Sequence, residues 1–265
     1  MTEKKSILYA GHTLTYRVTG KGKPVMLVHG FGEEATIWNG ITEVLDDSYC
    51  FILPDLPGSG DSELIPDMSM SGMAEALLRI LREEGIDNCP VIGHSMGGYI
   101  TLALVEKYPD AVSAFGLFHS TSYADSREKI ETRRKGMDFI REHGAFAFLK
   151  TVTPNLFSPL TREKNPDLVT QQINGLSRFT NEALLAYYEG MIQRPDRTPV
   201  LQEAGVPVLF IIGASDNAVS PDDSLQQSHL PGISYIHLLE KSGHMGMLEE
   251  TAVCSRIMDG FLQGI

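Results

Sequence analysis

No stretch of this 265-residue chain reaches the roughly 20 consecutive apolar residues that cross a bilayer, which excludes a membrane-spanning helix. The opening MTEKKSILYAG lacks the apolar segment of a secretory leader. Cysteine is scarce: Cys50, Cys89 and Cys254 are odd in number, far apart and set among apolar residues. They suit reduced core thiols of a cytoplasmic protein and offer neither a disulfide frame nor a metal site. Basic charge is in deficit, with 22 lysines and arginines against 34 aspartates and glutamates, a net −12. That balance speaks against a nucleic-acid backbone or an anionic membrane surface as partner. H-E-x-x-H, paired Cys/His spacing and a phosphate-cradling P-loop are all missing, so no metal or other cofactor is expected. Internal repeats and low-complexity tracts are absent too. What remains is an ordinary globular composition, 42% hydrophobic and 21% charged, enough for one large core with room for an insertion.

Two apolar periods alternate along the chain. Ser6–Ala10 and Thr13–Thr19 read as antiparallel strands joined through Gly11-His12. Val25–Val28, Cys50–Leu53, Val91–Gly93, Val112–Phe118 and Val206–Ile212 are apolar runs of the kind buried on both faces of a sheet, and Ile233–Leu239 is a last strand. Helical periods fall between them: Ala35–Leu45, Met70–Glu84, the stretch from Ser95 to Tyr108-Pro109, a helix from Pro221, and Met247–Leu262. In Met70–Glu84 the residues Met73, Leu77, Ile80 and Leu81 share one face, and Gly85 ends the helix. This alternation predicts an α/β fold with a mostly parallel, doubly wound sheet of eight strands flanked by helices. Ser122–Thr198 breaks the pattern. It shows no strand, is helical over Arg127–His143 and Asn181–Gln193, and is interrupted by Pro154, Pro159 and Pro166. The expected division is a core of residues 1–121 and 199–265 with a helical insertion at 122–198.

The segment Val91–Tyr99, VIGHSMGGY, organises the rest. A buried strand runs into Gly93-His94-Ser95-Met96-Gly97, and a helix follows at once. A serine pinned between strand and helix sits on a sharp turn with its hydroxyl pushed outward, and the flanking glycines suit the crowding. Taken alone, G-x-S-x-G is also compatible with a plain glycine-rich turn that starts a helix. The other unusual residues lie at strand ends as well, where ligands bind in open sheets of this kind.

With those pieces assembled, the chain resembles the α/β-hydrolase family with a helical cap after the sixth sheet strand. The resemblance spans about residue 7 to the C-terminus. It rests on His29-Gly30-Phe31, Gly93–Gly97, Gly213–Asp216 and Gly243-His244 in that order, with Asp55–Gly60 as a further family-like loop. The family order of serine, acid, histidine fits. The resemblance implies a Ser-His-Asp serine hydrolase in which Ser95 attacks, His244 shuttles the proton and Asp216 orients the imidazole. Asp125 is the alternative acid, since some members place it after the preceding strand. His229 and His237 suit the base less well, one in a surface helix and one inside a strand. The oxyanion hole carries over to the backbone N–H groups of Phe31 and Met96, whose side chains are expected to line the acyl pocket. His29 and His94 are expected to hold loops, and Asp55 to brace its own. Serine at the nucleophile position separates the chain from the epoxide-hydrolase and haloalkane-dehalogenase branches, which use aspartate there.

The insertion carries 12 lysines and arginines against 10 aspartates and glutamates, a net +2, over a body that keeps 10 against 24. A mildly basic cap over an acidic body is compatible with Arg133, Arg134 or Arg178 meeting a substrate carboxylate. The expectation is a cytoplasmic carboxylesterase-like hydrolase of a small ester, with no partner beyond that ester and a second copy in a homodimer. Carbon–carbon bond or enol-lactone hydrolysis, perhydrolysis, or a biosynthetic elimination on the same triad stand as alternatives. So does a ligand-sensing protein with a vestigial triad.

Overall fold

Gly11, at φ 86°, turns the chain between β1 (Glu3–Tyr9) and β2 (His12–Gly20), which pair antiparallel. The computed structural model describes residues 2–45 and 48–265; Met1, Asp46 and Asp47, which belong to the expected 1–121 core, lie outside the described residues. β2 also pairs antiparallel with β4 (Tyr49–Pro54). All later pairings are parallel, through β3 (Lys23–Val28), β5 (Cys89–His94), β6 (Val112–Phe118), β7 (Val208–Gly213) and β8 (Ser234–Leu239). The result is one eight-stranded sheet in the order β1-β2-β4-β3-β5-β6-β7-β8. The central strands are sealed on both faces, which is why Val25–Val28 and Val208–Ile212 read as unbroken apolar runs.

Helices cover both faces. One core joins the sheet to α2 (Met70–Glu83) and α3 (Met96–Lys107). The other joins it to α1 (Asn39–Leu45) and to α12 (Thr251–Gln263) at the end of the chain. Ser69 caps α2 by accepting the Gly72 N–H at 3.0 Å, and the expected face of Met73, Leu77, Ile80 and Leu81 is buried. Two expected helices are split. Ala35–Trp38 is a tight 3₁₀ turn ahead of α1, started by Asp55 Oδ1 accepting the Ala35 N–H at 2.8 Å. The closing helix is broken at Glu250, φ −133°, into α11 (Gly246–Glu249) and α12.

Between β6 and β7 the described residues form helices only: α4 (Arg127–His143), α5 (Ala145–Val152), α6 (Pro159–Lys164), α7 (Pro166–Asn174), α8 (Asn181–Gln193) and α9 (Thr198–Gln202), with short 3₁₀ turns. After β7 comes α10 (Pro221–Gln227), with Pro221 in its first turn. Among the described residues no helix is long and apolar enough to cross a membrane.

Candidate active site

Ser95 stands between β5 and α3 with φ 51° and ψ −116°, a conformation that L-residues hold only when their surroundings impose it. Its N–H donates to Phe118 O at 3.0 Å, and its carbonyl accepts the Ser120 hydroxyl at 2.7 Å. Neighbouring backbone closes in on both sides. A Cβ on Gly93 would lie 2.3 Å from the Gly97 carbonyl, and one on Gly97 would lie 2.4 Å from Val28 O. Strand, turn and helix can therefore pack this closely only with glycine at both positions.

Asp216 follows β7, and His244 lies on the loop after β8. Asp216 Oδ1 accepts the N–H groups of Ala218 at 2.8 Å and Val219 at 2.9 Å, while Oδ2 faces His244 Nδ1 at 2.8 Å. An ionised carboxylate only accepts, so Nδ1 carries the proton and Nε2 is left as the ring's acceptor. Burial alone would raise the Asp216 carboxyl. The adjacent His244 and His119 outweigh it and hold the group well below the ordinary carboxylate range.

Ser95 and His244 meet as walls of one cavity of about 180 Å³, which Phe31, Tyr99, Lys129, Arg133, Tyr188 and Met191 also line. The Phe31 ring stacks on Tyr188 at 4.5 Å between centroids, joining the loop after β3 to α8. Met96, expected on the wall, is not among the residues that line this cavity. Its side chain is fully buried in the core, and its backbone begins α3.

A family model described as alpha/beta hydrolase fold matches residues 23–251. The chain belongs to the alpha/beta hydrolase family. It is 31% identical to an uncharacterised protein of Mycobacterium tuberculosis, over 95% of this chain and 79% of that protein. It is 25% identical to a pimeloyl-[acyl-carrier protein] methyl ester esterase of Vibrio cholerae, over 93% of this chain and 97% of that enzyme. A solved thermophilic esterase from Thermogutta terrifontis superposes with a TM-score of 0.92 at 27% identity, covering 99% of this chain and 98% of that one.

Several residues around this candidate site escaped sequence reasoning. Glu33 Oε2 accepts the Gly30 N–H at 2.6 Å and lies 2.9 Å from His94 Nδ1, while His94 Nε2 lies 2.9 Å from His244 O. Acceptors face both ring nitrogens, so His94 carries both protons and pairs with Glu33. Burial would lower the imidazole, but the Glu33 carboxylate outweighs it and raises it. The pair ties the loop after β3, the serine turn and the histidine loop together. Glu249 explains the break before α12: its Oε1 accepts the Gly243 N–H at 2.8 Å and its Oε2 the Ser158 N–H at 2.8 Å. Oε1 thereby anchors the His244 loop, and Oε2 ties it to the turn before α6.

His119, at φ 49° just past β6, is wedged between the acid and histidine loops. The Gly213 N–H points at its Nδ1 from 3.1 Å and the Gly246 N–H at its Nε2 from 3.2 Å, with Asp216 Oδ2 3.4 Å from Nδ1. Burial pushes this imidazole down to about 4, against the pull of Asp216. His119, Asp216 and His244 could share an ion by distance, their ligand atoms lying within 4.8 Å. A neutral imidazole has a single lone pair, so His119 accepts only one of the two N–H groups and its other nitrogen carries the ring proton.

The alternative acid, Asp125, is committed elsewhere. It binds Arg133 through Nε and Nη2 at 2.5 and 3.2 Å, and Arg194 Nη1 at 2.9 Å. Of the three arginines considered for a substrate carboxylate, only Arg133 lines the cavity. Arg134 is exposed, and Arg178 pairs with Asp61. His29 accepts the Leu56 N–H at 2.9 Å, and Asp55 accepts the Thr15 hydroxyl at 3.1 Å, so both brace loops. His229 is exposed in a turn after α10, and His237 is half-buried in β8.

Proposed function

We propose that this hydrolase cleaves a small carboxylic ester through an acyl-enzyme intermediate. One observation carries the reading: the 2.8 Å contact between Asp216 Oδ2 and His244 Nδ1 leaves Nε2 as a base in a residue that shares a cavity with Ser95. When substrate binds, Ser95 Oγ comes within hydrogen-bond reach of Nε2 and gives up its proton as it attacks the carbonyl. The backbone N–H groups of Phe31 and Met96 stabilise the oxyanion. His244 returns the proton to the departing alcohol, and water repeats the cycle on the acyl-enzyme. Asp216 fixes the tautomer throughout.

Residues 122–198 act as the cap in this reading, and 1–121 with 199–265 as the core. Support comes from the cavity, whose roof is drawn from α4, α5 and α8. A volume near 180 Å³ fits a short acyl or alcohol group. The net charge of −12 favours a small-molecule partner over nucleic acid or an anionic membrane, and the thiol pattern favours a cytoplasmic setting.

The test is labelling of Ser95 by a fluorophosphonate probe, alongside turnover of p-nitrophenyl esters of graded chain length. Ser95→Ala should abolish labelling and lower kcat at least about a thousandfold. A variant that keeps a tenth of the rate overturns the assignment. An unlabelled wild type that turns over no ester points to a binding protein instead.

A further inference from the structure

Three cations surround one carboxylate where α4 meets the loop after β7. Arg133 and Arg194 both bind Asp125, with side chains 10% and 4% exposed against 2% for the carboxylate. Arg194 also lies over the Tyr99 ring at 3.9 Å. Lys129 stands one helical turn before Arg133, on the same face of α4. Its Nζ donates to Ala218 O at 2.8 Å, and no carboxylate among the described residues lies within 4.0 Å of it. The two carboxylates whose charge reaches it, Asp125 and Asp216, are already bound, the first by Arg133 and Arg194 and the second by His244.

Lys129 also occupies a boundary. It lines the serine cavity and, with Tyr99, Ala218 and Val219, an outer cleft of about 660 Å³. An ammonium has three donors, and the backbone contact uses one. Half-buried charge without a counter-ion is costly, so the surplus is best offset by an anion brought in with the ligand. Burial and the nearby Arg133 already push this ammonium below the ordinary lysine range.

We propose that Lys129 binds an ionised carboxylate on the substrate, so that the preferred ester carries a second, free acid group. The inference rests on the esterase reading and narrows it to a class: half-esters of short dicarboxylic acids, held with the ester carbonyl at Ser95 and the free carboxylate at Lys129. The contact would be a charge-assisted hydrogen bond, which discriminates about tenfold to a hundredfold against an uncharged analogue.

The experiment compares kcat/KM for monomethyl esters of the four- to six-carbon diacids with methyl esters of monoacids of the same length. Wild type should prefer the acidic ester at one of these lengths. Lys129→Met should reduce that preference at least about tenfold, and Lys129→Arg should keep most of it. A preference that survives Lys129→Met overturns the inference, as does an equal loss on both esters, which would mark Lys129 as a structural tie to Ala218. Should the Met variant fail to fold, succinate and butanoate are compared as protectants of wild-type Ser95 against the fluorophosphonate probe. Stronger protection by the diacid supports the proposal, and equal protection overturns it. Failure of the esterase reading looks different: wild type would then hydrolyse neither ester and Ser95 would stay unlabelled.

Discussion

Asp216→Asn changes almost no volume and should nonetheless be among the most damaging single substitutions. Oδ1 of Asp216 accepts two backbone N–H groups, at 2.8 and 2.9 Å. In asparagine that position must hold the amide oxygen, because an NH₂ there would face two donors. The amide nitrogen then replaces Oδ2, 2.8 Å from His244 Nδ1. A donor now confronts the nitrogen that carried the ring proton. His244 can keep its tautomer only by opposing two N–H groups and forfeiting a charge-assisted bond worth about 1.5–3 kcal/mol. Moving the proton to Nε2 relieves that conflict but leaves nothing to accept the proton of Ser95. In Ser-His-Asp hydrolases this reversal costs about ten-thousandfold in kcat, about 5 kcal/mol of barrier. The assay is the second-order rate of fluorophosphonate labelling of Ser95 across neutral pH, with an unfolding curve to show that the fold is kept. Asp216→Ala should be no worse than Asp216→Asn, since an empty site leaves the imidazole free to choose its tautomer. An Asn variant that retains a tenth of the wild-type rate, or an Ala variant far slower than Asn, refutes the argument.

Gly97→Ala should lose at least about 2 kcal/mol of stability in urea titrations, because its new Cβ meets backbone oxygens at 2.4 and 2.6 Å that cannot rotate away. Wild-type stability there would show that the turn is looser than the structure has it. Asp125→Asn strips two buried guanidinium groups of their shared carboxylate, so it should cost about 3–5 kcal/mol. Labelling of Ser95 in the molecules that remain folded should stay within about tenfold; a ten-thousandfold loss would hand the role of acid to Asp125. His119, held near 4 in the folded state against 6.5 unfolded, stays neutral while the unfolded chain takes up a proton. Its contribution is therefore intact above pH 6.5 and lost as pH falls toward 4, by about 3 kcal/mol at the lower limit. His119→Leu should be less stable at pH 7.5 and show a correspondingly shallower decline between pH 6.5 and 4. Parallel curves for the two proteins would contradict the burial argument.

What sequence could show, and what it could not, follows from the range of the interactions. Helices α4 and α8 run over the spans expected for them, because their starts are set locally: Ser126 accepts the Lys129 N–H and Thr180 the Ala183 N–H, each three residues on. Ser95, Asp216 and His244 could be singled out for a similar reason, each standing just past a strand with a glycine within three residues. Glu33, His119 and Lys129 carry no such mark. Their partners lie 61, 127 and 89 residues away, at His94, Gly246 and Ala218. The break before α12 was hidden too, because Glu249 reads as an ordinary helical residue until its oxygens are seen holding Gly243 and Ser158. Charge counting over 122–198 detected the surplus of cations but could not locate it. Arg133 and Lys129 sit one turn apart on α4, and only the pairing separates them. Asp125 neutralises the first, while the second keeps two donors for a ligand. Composition can thus say that an insertion is basic. Which of its charges is available to a substrate is decided by the carboxylates that folding brings beside the others.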